Sequence, residues 1–240
     1  MNVLSFYEES INMFRRNFYI FCFVVGSLSI AFFSLASLSD VKVIGTKSQA
    51  NLTSAAPNGK ETMTVVFAGG CFWGMEAVFE HLKGVSDVVS GYSGGTPKTA
   101  FYEAVSSGQT EHAESVKITF DPSQISYEKL LQIYFFVAHD PTQLNRQYPD
   151  RGKQYRSAIF FGNDEQKQIA EAYIDRLNKT KSFSSPIVTQ LVPLENFYPA
   201  EDYHQNFIVR NPKYPYVVIN DLPKLVQLQK QFPETYKNQG

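Results

Sequence analysis

Cys71 lies between a short apolar run and a helical pattern, which makes it a candidate nucleophile. The run at residues 65–67 predicts a buried strand. The apolar side chains after the cysteine recur on one face of a helix that Gly84 is expected to end: Met75, Val78, Phe79 and Leu82. The sulfur would then lie at a helix N-terminus, where unpaired N–H groups and the helix dipole favour a thiolate over a thiol.

The neighbours of Cys71 favour a reactive cysteine over an inert one. Phe72 and Trp73 are expected to place two aromatic rings beside the sulfur. Three glycines are expected to leave it open to approach: Gly69, Gly70 and Gly74. A lone cysteine is nevertheless often a small apolar core residue. Its position alone therefore leaves both interpretations open.

Glu114 is the second candidate for chemistry. Residues 115–120 alternate apolar and polar side chains, which predicts a strand. Glu114 lies on its apolar face, which is formed by Val116, Ile118 and Phe120. A carboxyl group at the end of a core-facing row loses water, which raises its pKa and lets it donate a proton near neutral pH. The alternative is a solvated glutamate at a strand end.

The elements that would position these residues alternate between strands and helices. Strands are predicted at 65–67, 85–90, 115–120, 157–161 and 187–192, with a glycine loop at 91–95. Helices are predicted after Cys71, over 126–138 with Ser126 as its cap, after the capping box of Asn163 and Gln166, and after Asp221. The third helix would pack through Ile169, Ala172, Tyr173 and Leu177, and the last through Leu225, Leu228 and Phe232. This order predicts an α+β domain with helices against one mixed sheet.

A series of ordered motifs resembles the A-type peptide methionine sulfoxide reductases. The series begins with Gly-Cys-Phe-Trp-Gly at 70–74 and Gly-Tyr-Ser-Gly-Gly at 91–95. It continues with Phe-Tyr-Glu at 101–103, His-Ala-Glu at 112–114, His-Asp-Pro-Thr-Gln at 139–143, Arg-Gln at 146–147, Gln-Tyr-Arg-Ser at 154–157 and Ala-Glu-Asp-Tyr-His-Gln at 200–205. The resemblance covers residues 64 to about 215. It implies the two-layer α/β sandwich of that family.

The resemblance also implies a reaction, the reduction of methionine S-sulfoxide, free or within proteins, to methionine. Cys71 would attack the sulfoxide sulfur and become a sulfenic acid, while Glu114 supplies the proton. Tyr102 and Tyr155 align with two family tyrosines that would hydrogen-bond the sulfoxide oxygen.

Three further residues would bind the substrate. Phe72 and Trp73 would cage its S-methyl group between apolar surfaces. Asp150 aligns with a family aspartate that helps hold the substrate's backbone amine. These residue roles are expectations that come from the resemblance.

The cysteine count predicts how the sulfenic acid is reduced. The chain has two cysteines, and Cys22 lies in an apolar N-terminal segment. Many members of the family carry further cysteines near the C-terminus, but residues 211–240 contain none. We therefore expect a one-cysteine enzyme that needs no cofactor beyond an external thiol such as thioredoxin or glutaredoxin.

Two other function classes remain open from the sequence. Cys71 with His112 or His204 could form the nucleophile and base of an acyl-transfer hydrolase. The chain could instead be a membrane-tethered binding module with a structural cysteine. His81 is expected to end the first helix, where a cation complements the helix dipole. His139 and His204 lie in segments that resemble the family and are expected to anchor hydrogen bonds. No ligand spacing typical of metal sites occurs, so we do not predict a bound metal.

The composition and the N-terminus bear on partners and location. A net charge of −1 argues against nucleic-acid binding. The apolar run at 18–38 is long enough to cross a bilayer and predicts a signal anchor or, alternatively, a cleaved signal peptide. A buried soluble helix is a further alternative. Both favoured interpretations predict export to the periplasm or to the extracytoplasmic face of the membrane. We also expect a monomer.

The predicted organisation has four parts. Residues 1–39 form the signal segment, which would be an apolar helix outside the domain, and 40–61 form a flexible linker. Residues 62–215 form the catalytic domain. Residues 216–240 form a tail with one short helix, which we interpret as packing rather than chemistry.

Overall fold

A mixed sheet organises the residues that this computed structural model describes, which are 54–55 and 61–238. Its strands are β1 (Ser54–Ala55), β2 (Glu61–Ala68), β3 (Val85–Ser93), β4 (Ala113–Phe120), β7 (Ala158–Phe161), β8 (Gln190–Pro193) and β9 (Phe197–Pro199). The order is β8-β7-β2-β4-β3-β9, with β1 also beside β2. The β7–β8 pair is parallel and the other pairs are antiparallel. Two further strands, β5 (Arg146–Gln147) and β6 (Asp150–Arg151), form a separate ribbon.

Helices pack against this sheet and one another. They are α1 (Phe72–Glu80), α2 (Tyr102–Ser106), α3 (Tyr127–Ile133), α4 (Asp164–Lys179), α5 (Phe207–Arg210) and α6 (Leu222–Gln231). Helix α1 contacts β3, β4 and α6, while α4 contacts α3, β7 and β8. The predicted α+β class, with two layers and a mixed sheet, is confirmed.

The predicted strand-to-helix junction at Cys71 is confirmed, but α1 is shorter than expected. It ends at Glu80, and His81 is its C-cap. Gly84 lies three residues later, in the turn to β3, with a φ of +86°. A side chain there would collide with Gln124 and Ile125, so Gly84 is required by the turn rather than by the helix end.

Strand β3 runs to Ser93, so the predicted glycine loop at 91–95 begins inside a strand. The reason is its partner β9, which pairs with β3 from Gly91 to Ser93. A Cβ atom on Gly91 would lie 2.4 Å from both the Phe197 ring and the Tyr198 carbonyl oxygen. Gly91 thus permits the close approach of the neighbouring strand.

The predicted helix caps at Ser126 and Asn163 are confirmed, although their details differ from expectation. The Ser126 hydroxyl accepts from the Lys129 N–H, and α3 continues into a π-helical turn at Tyr134–Ala138. Asn163 Oδ1 accepts from the Gln166 N–H at the start of α4. The Gln166 side chain itself bonds Gly162 and Thr64, so the capping box is not reciprocal.

Two further boundaries or faces differ from the predictions. Helix α4 buries Gln166, Ala170, Tyr173 and Leu177, so Ala170 takes the inward position predicted for Ala172. Strand β8 begins at Gln190 rather than at 187. The predicted inward positions of Leu225, Leu228 and Phe232 are confirmed.

The predicted N-terminal apolar helix at 18–38 lies outside the described residues, as does the predicted linker at 40–61 apart from 54–55 and 61. Within 54–55 and 61–238, no helix is both long enough and apolar enough to cross a membrane.

Candidate active site

Cys71 is the N-cap residue of α1 and is 9% exposed. Burial raises the pKa of its thiol well above the ordinary value, and the nearby Glu114 and Asp221 carboxyl groups raise it further. A hydrogen bond from the Trp73 N–H and the charge of Lys224 lower it, but they do not outweigh the loss of water. The expected thiolate is therefore wrong for the ligand-free site, where Cys71 is a thiol at neutral pH.

The three glycines around Cys71 make room for other side chains. A Cβ atom on Gly69 would strike the His139 ring, and one on Gly70 would strike Gln147. One on Gly74 would lie 2.2 Å from an Asp221 carboxyl oxygen. The expectation that the three glycines leave the sulfur open to approach is therefore wrong. They instead allow other side chains to pack closely against this segment.

Glu114 is the second residue of β4 and is buried, with 2% of its surface exposed. Its Oε2 accepts a hydrogen bond of 3.0 Å from the Phe72 N–H, the first N–H of α1. Burial raises its pKa to about 8, a shift that the Phe72 bond opposes and the Asp150 charge increases. The predicted desolvated carboxyl group is confirmed, and it is largely protonated at pH 7.

Tyr102 and Tyr155 are half-buried near the same groups. Tyr102 is the first residue of α2, and Tyr155 ends a short turn at Lys153–Tyr155. Burial and the charges of Glu114 and Cys71 raise the pKa of Tyr102 to about 12 and move that of Tyr155 in the same direction. Both phenols therefore stay protonated. Neither hydroxyl has a hydrogen-bond partner among the described residues, so both can donate to a ligand.

The two aromatic residues after Cys71 differ in exposure. Phe72 is 1% exposed and packs on the rings of Tyr92 and His204, at centroid distances of 5.9 and 5.0 Å. Trp73 is half-buried, stacks on Phe207 at 3.7 Å and donates from Nε1 to His204 Nδ1 at 3.1 Å. Trp73 therefore presents the open aromatic surface, and Phe72 supports it from below.

Asp150 lies in β6, and its carboxylate accepts a hydrogen bond from the Tyr216 hydroxyl. Burial raises the pKa of Asp150, while the Tyr216 bond and the Lys224 charge lower it. Tyr216 and Lys224 belong to the tail at 216–240, for which the sequence predicts packing rather than chemistry. The structure instead brings both into the electrostatic surroundings of the site.

The predicted helix cap at Asp221 is wrong. Its side chain makes no capping bond, because a π-helical turn at Val217–Asp221 already precedes α6. The carboxylate is 1% exposed and pairs with Lys224 Nζ at 3.3 Å, beside Gly74 in the first turn of α1. The sequence does contain one sign of this approach. Gly74 lies one turn after Cys71, and a glycine at that position leaves room for the Asp221 carboxylate.

Each of the four histidines forms a hydrogen bond with a group other than the Cys71 sulfur. His112 Nε2 lies 2.9 Å from the Thr96 carbonyl oxygen, and His204 Nδ1 accepts from Trp73. His139, with a pKa lowered by burial to about 4, bonds Tyr134 and Ser157, and His81 bonds Ala77. The anchoring roles expected of His139 and His204 are confirmed. In the described part of the chain no histidine hydrogen-bonds Cys71, so the hydrolase alternative lacks its base.

Residues 54–55 and 61–238 contain no group of three or more histidine, cysteine, aspartate or glutamate side chains that could hold an ion.

Comparison with known proteins gives consistent matches. The family model described as peptide methionine sulfoxide reductase matches residues 63–236. "Peptide methionine sulfoxide reductase MsrA 2" from Mesorhizobium japonicum is 58% identical over 182 residues, covering 76% of this chain and 92% of the relative. The Synechocystis sp. protein of the same name is 53% identical over 190 residues, covering 79% and 89%.

Solved structures agree with the fold. Reduced Mxr1 from Saccharomyces cerevisiae matches with a TM-score of 0.61 and 29% identity, covering 68% of this chain and 92% of that chain. Methionine sulfoxide reductase A of Corynebacterium diphtheriae matches with a TM-score of 0.55 and 34% identity, covering 63% and 76%.

Proposed function

The chain belongs to the peptide methionine sulfoxide reductase family and reduces methionine sulfoxide to methionine; from this premise we propose that the Cys71 sulfur is the atom that takes the oxygen. The observation that carries the assignment is the pairing of two groups at one helix end. Cys71 caps α1, and the largely protonated Glu114 carboxyl accepts from the next N–H, that of Phe72.

The reaction balances as a transfer of one oxygen atom. The Cys71 sulfur attacks the sulfoxide sulfur and forms an S–S bond, and the S–O bond of the substrate breaks as the protonated oxygen leaves as water. A water molecule then attacks the Cys71 sulfur, which breaks the S–S bond, releases methionine and leaves Cys71 as a sulfenic acid. Methionine sulfur is reduced by two electrons, and the cysteine sulfur is oxidised by two. The thiol proton lost by Cys71 equals the proton carried by the sulfenic acid, so no proton is consumed overall.

The raised pKa values of both groups suggest how that proton moves. Glu114 is protonated and gives its proton to the departing oxygen, and the resulting carboxylate takes the proton of the Cys71 thiol. The thiolate is thus generated as the oxygen is protonated, rather than being stored beforehand. Burial raises the pKa of both groups. It therefore disfavours a thiolate on Cys71 in the ligand-free site, and it keeps on Glu114 the proton that the reaction needs.

The remaining residues orient the sulfoxide. The free hydroxyls of Tyr102 and Tyr155 hydrogen-bond its oxygen, on which negative charge develops. Trp73, supported by Phe72, contacts the S-methyl group. Asp150, oriented by the Tyr216 hydroxyl, accepts from the substrate's backbone amine.

Removing both tyrosine hydroxyls is expected to slow the reaction strongly. We predict that Tyr102→Phe and Tyr155→Phe each reduce kcat about 10-fold, and that the double variant loses about 10²-fold or more. Activity is measured as methionine formed with dithiothreitol as reductant. Tyr173→Phe, a tyrosine on α4, serves as the control. An unchanged kcat in the double variant would remove the tyrosines from the mechanism.

Lys224 is expected to tune Cys71. Its ammonium group lies beside the first turn of α1 and lowers the pKa of the thiol. Lys224→Met should therefore slow alkylation of Cys71 at pH 8, and Lys224→Arg should retain most of the rate. The pH profile of iodoacetamide labelling without substrate measures this. Lys230→Met, on the exposed side of α6, is the matched control, and equal profiles for both Met variants would contradict the role.

An external thiol regenerates the enzyme in this proposal. Cys71 is the free cysteine of the described residues, and the sequence contains no cysteine after it. A first thiol condenses with the sulfenic acid to a mixed disulfide and water, and a second releases Cys71 as a thiol. Thioredoxin or glutaredoxin has the required chemistry.

Thiol counting tests this step. After one turnover without reductant, mass spectrometry is expected to find Cys71 as a sulfenic acid, trapped by dimedone, and no disulfide within the chain. An internal disulfide between Cys71 and Cys22 would overturn the one-cysteine cycle.

The function as a whole is tested with separated sulfoxide epimers. We expect reduction of the S epimer and little reduction of the R epimer, for both free and peptide-bound methionine sulfoxide. Thioredoxin, glutaredoxin and dithiothreitol are compared as donors. Failure to reduce either epimer with dithiothreitol would reject the proposal.

For the location, we propose export as a monomer, with the apolar segment at 18–38 as anchor or signal peptide. Fractionation of expressing cells tests this placement, and full recovery of the intact chain in the cytoplasm would reject it.

A further inference from the structure

A cavity of about 370 Å³ opens beside the β5–β6 ribbon and includes Asp150 in its wall. Arg146 and Arg151 also line it. The site described above uses Asp150 but neither arginine, so the cavity extends the substrate site in a direction that the reaction at Cys71 leaves unused.

The two arginines are an uncompensated pair. They lie directly opposite each other in the antiparallel ribbon, and both are exposed. Like charges in directly opposite positions destabilise such a pair of strands. Across the described residues, neither guanidinium forms an ion pair or a hydrogen bond. The fold therefore holds two positive charges together without an anion of its own.

The carboxylates in the same cavity do not supply that anion. Asp140 uses both its oxygens within its own loop, since they accept from Thr142 and from Gln143. Asp150 accepts from the Tyr216 hydroxyl. Neither aspartate lies within ion-pair distance of Arg146 or Arg151.

In the ribbon, the Arg146–Arg151 pair is next to the pair of residues that lies closer to the reacting sulfur. Gln147 and Asp150 form the other directly opposite pair of the ribbon, and the Gln147 side chain packs against Gly70, next to Cys71. Because successive side chains of a strand alternate in direction, the arginines do not share the contact of Gln147 with Gly70, but they line the same cavity as Asp150. They are placed to bind a part of the substrate adjacent to the methionine sulfoxide side chain, rather than the sulfoxide itself.

We propose that Arg146 and Arg151 form a subsite for a carboxylate of the substrate. The inference rests on the proposed function, in which Asp150 holds the adjacent backbone amine. The carboxylate is either the α-carboxylate of free methionine sulfoxide or an acidic side chain that flanks it in a peptide. Guanidinium groups bind carboxylates through paired, charge-assisted hydrogen bonds, which the ammonium group of a lysine cannot form. A pair of exposed arginines is therefore well suited to bind a carboxylate.

Matched substrates test the subsite with dithiothreitol as reductant. One set is a capped peptide with glutamate or glutamine on either side of methionine S-sulfoxide, and the other is free methionine S-sulfoxide against its α-amide. We expect kcat/KM of the wild-type protein to favour the carboxylate form by about fivefold in at least one set. The double variant Arg146→Gln/Arg151→Gln should bring that ratio close to one, and each single variant should lower it.

The outcomes assign the source of the carboxylate or overturn the subsite. A preference confined to the free amino acid identifies the α-carboxylate, and one confined to the peptides identifies the flanking side chain. Arg176→Gln, an exposed arginine paired with Glu128 away from this cavity, controls for net charge and should keep the wild-type ratio. Equal rates in both sets, or a preference that survives in the double variant, overturns the subsite. Retained reduction of the neutral substrates then leaves the proposed function standing, whereas its loss in the wild-type protein counts against the function itself.

Discussion

A Cys71→Ser variant is expected to lose sulfoxide reduction by at least about 10⁴-fold, the scale of losing a nucleophile. The reason is the chemistry of the product as well as the strength of the nucleophile. Oxygen transferred to a cysteine sulfur gives a sulfenic acid, whereas transfer to a serine oxygen would require a much weaker O–O bond. Methionine formation with dithiothreitol, followed by chromatography, measures the loss.

The same variant separates chemistry from folding. Serine is close in size to cysteine, and its hydroxyl can still accept from the Trp73 N–H, so the thermal midpoint should change little. Dimedone labelling after sulfoxide treatment should disappear together with activity. Activity within tenfold of the wild-type level would mean that another group takes the oxygen.

The geometry of Cys71 was predictable, but its protonation was not. A strand, a glycine turn and a helix pattern placed the sulfur at a helix end, and the structure agrees. The helix end does lower the pKa of the thiol through the Trp73 N–H. The opposing effects of burial and two carboxyl groups depend on chain segments that are remote in sequence, and no local pattern around Cys71 contains them.

Glu114 was predictable because strand alternation is a local signal. Its place in register with Val116 and Ile118 fixes its face, and the interior side of an antiparallel strand is desolvated. By contrast, Tyr216, Asp221 and Lys224 reach the site only through the return of the C-terminal segment onto α1. Such long-range approach is not encoded in the periodicity of any one element.

Element boundaries failed where backbone packing decided them. Gly84 has the residue type of a helix end, yet it serves the turn into β3. Gly91 has the residue type of a loop, yet it lies in a strand because β9 approaches it closely. In both cases the residue type was informative, but the neighbours that require glycine are remote in the sequence. They are Gln124 and Ile125 for Gly84, and Phe197 and Tyr198 for Gly91.

A Glu114→Gln variant is expected to lower kcat by about 10²- to 10⁴-fold, the range of a general acid. Glutamine keeps the size of the side chain and the acceptor for the Phe72 N–H, but it has no proton to give. The wild-type rate should fall above about pH 8, where the folded pKa of Glu114 lies and its proton is lost. This alkaline limb should vanish in the variant. Rates across pH 6–10 with dithiothreitol, corrected for its own ionisation, measure both effects.

Stability should move in the opposite direction from activity in the same variant. Burial raises the pKa of Glu114 to about 8 in the folded state, above the value near 4.5 of an exposed carboxyl group. Between these values the folded state binds more protons than the unfolded state, so its stability falls as pH rises. Glutamine removes this dependence, and the thermal midpoint of Glu114→Gln should therefore decline less than that of the wild type between pH 5 and 8. Parallel declines would indicate a Glu114 that is ionised throughout, and a carboxylate already ionised at neutral pH could not act as the proton donor.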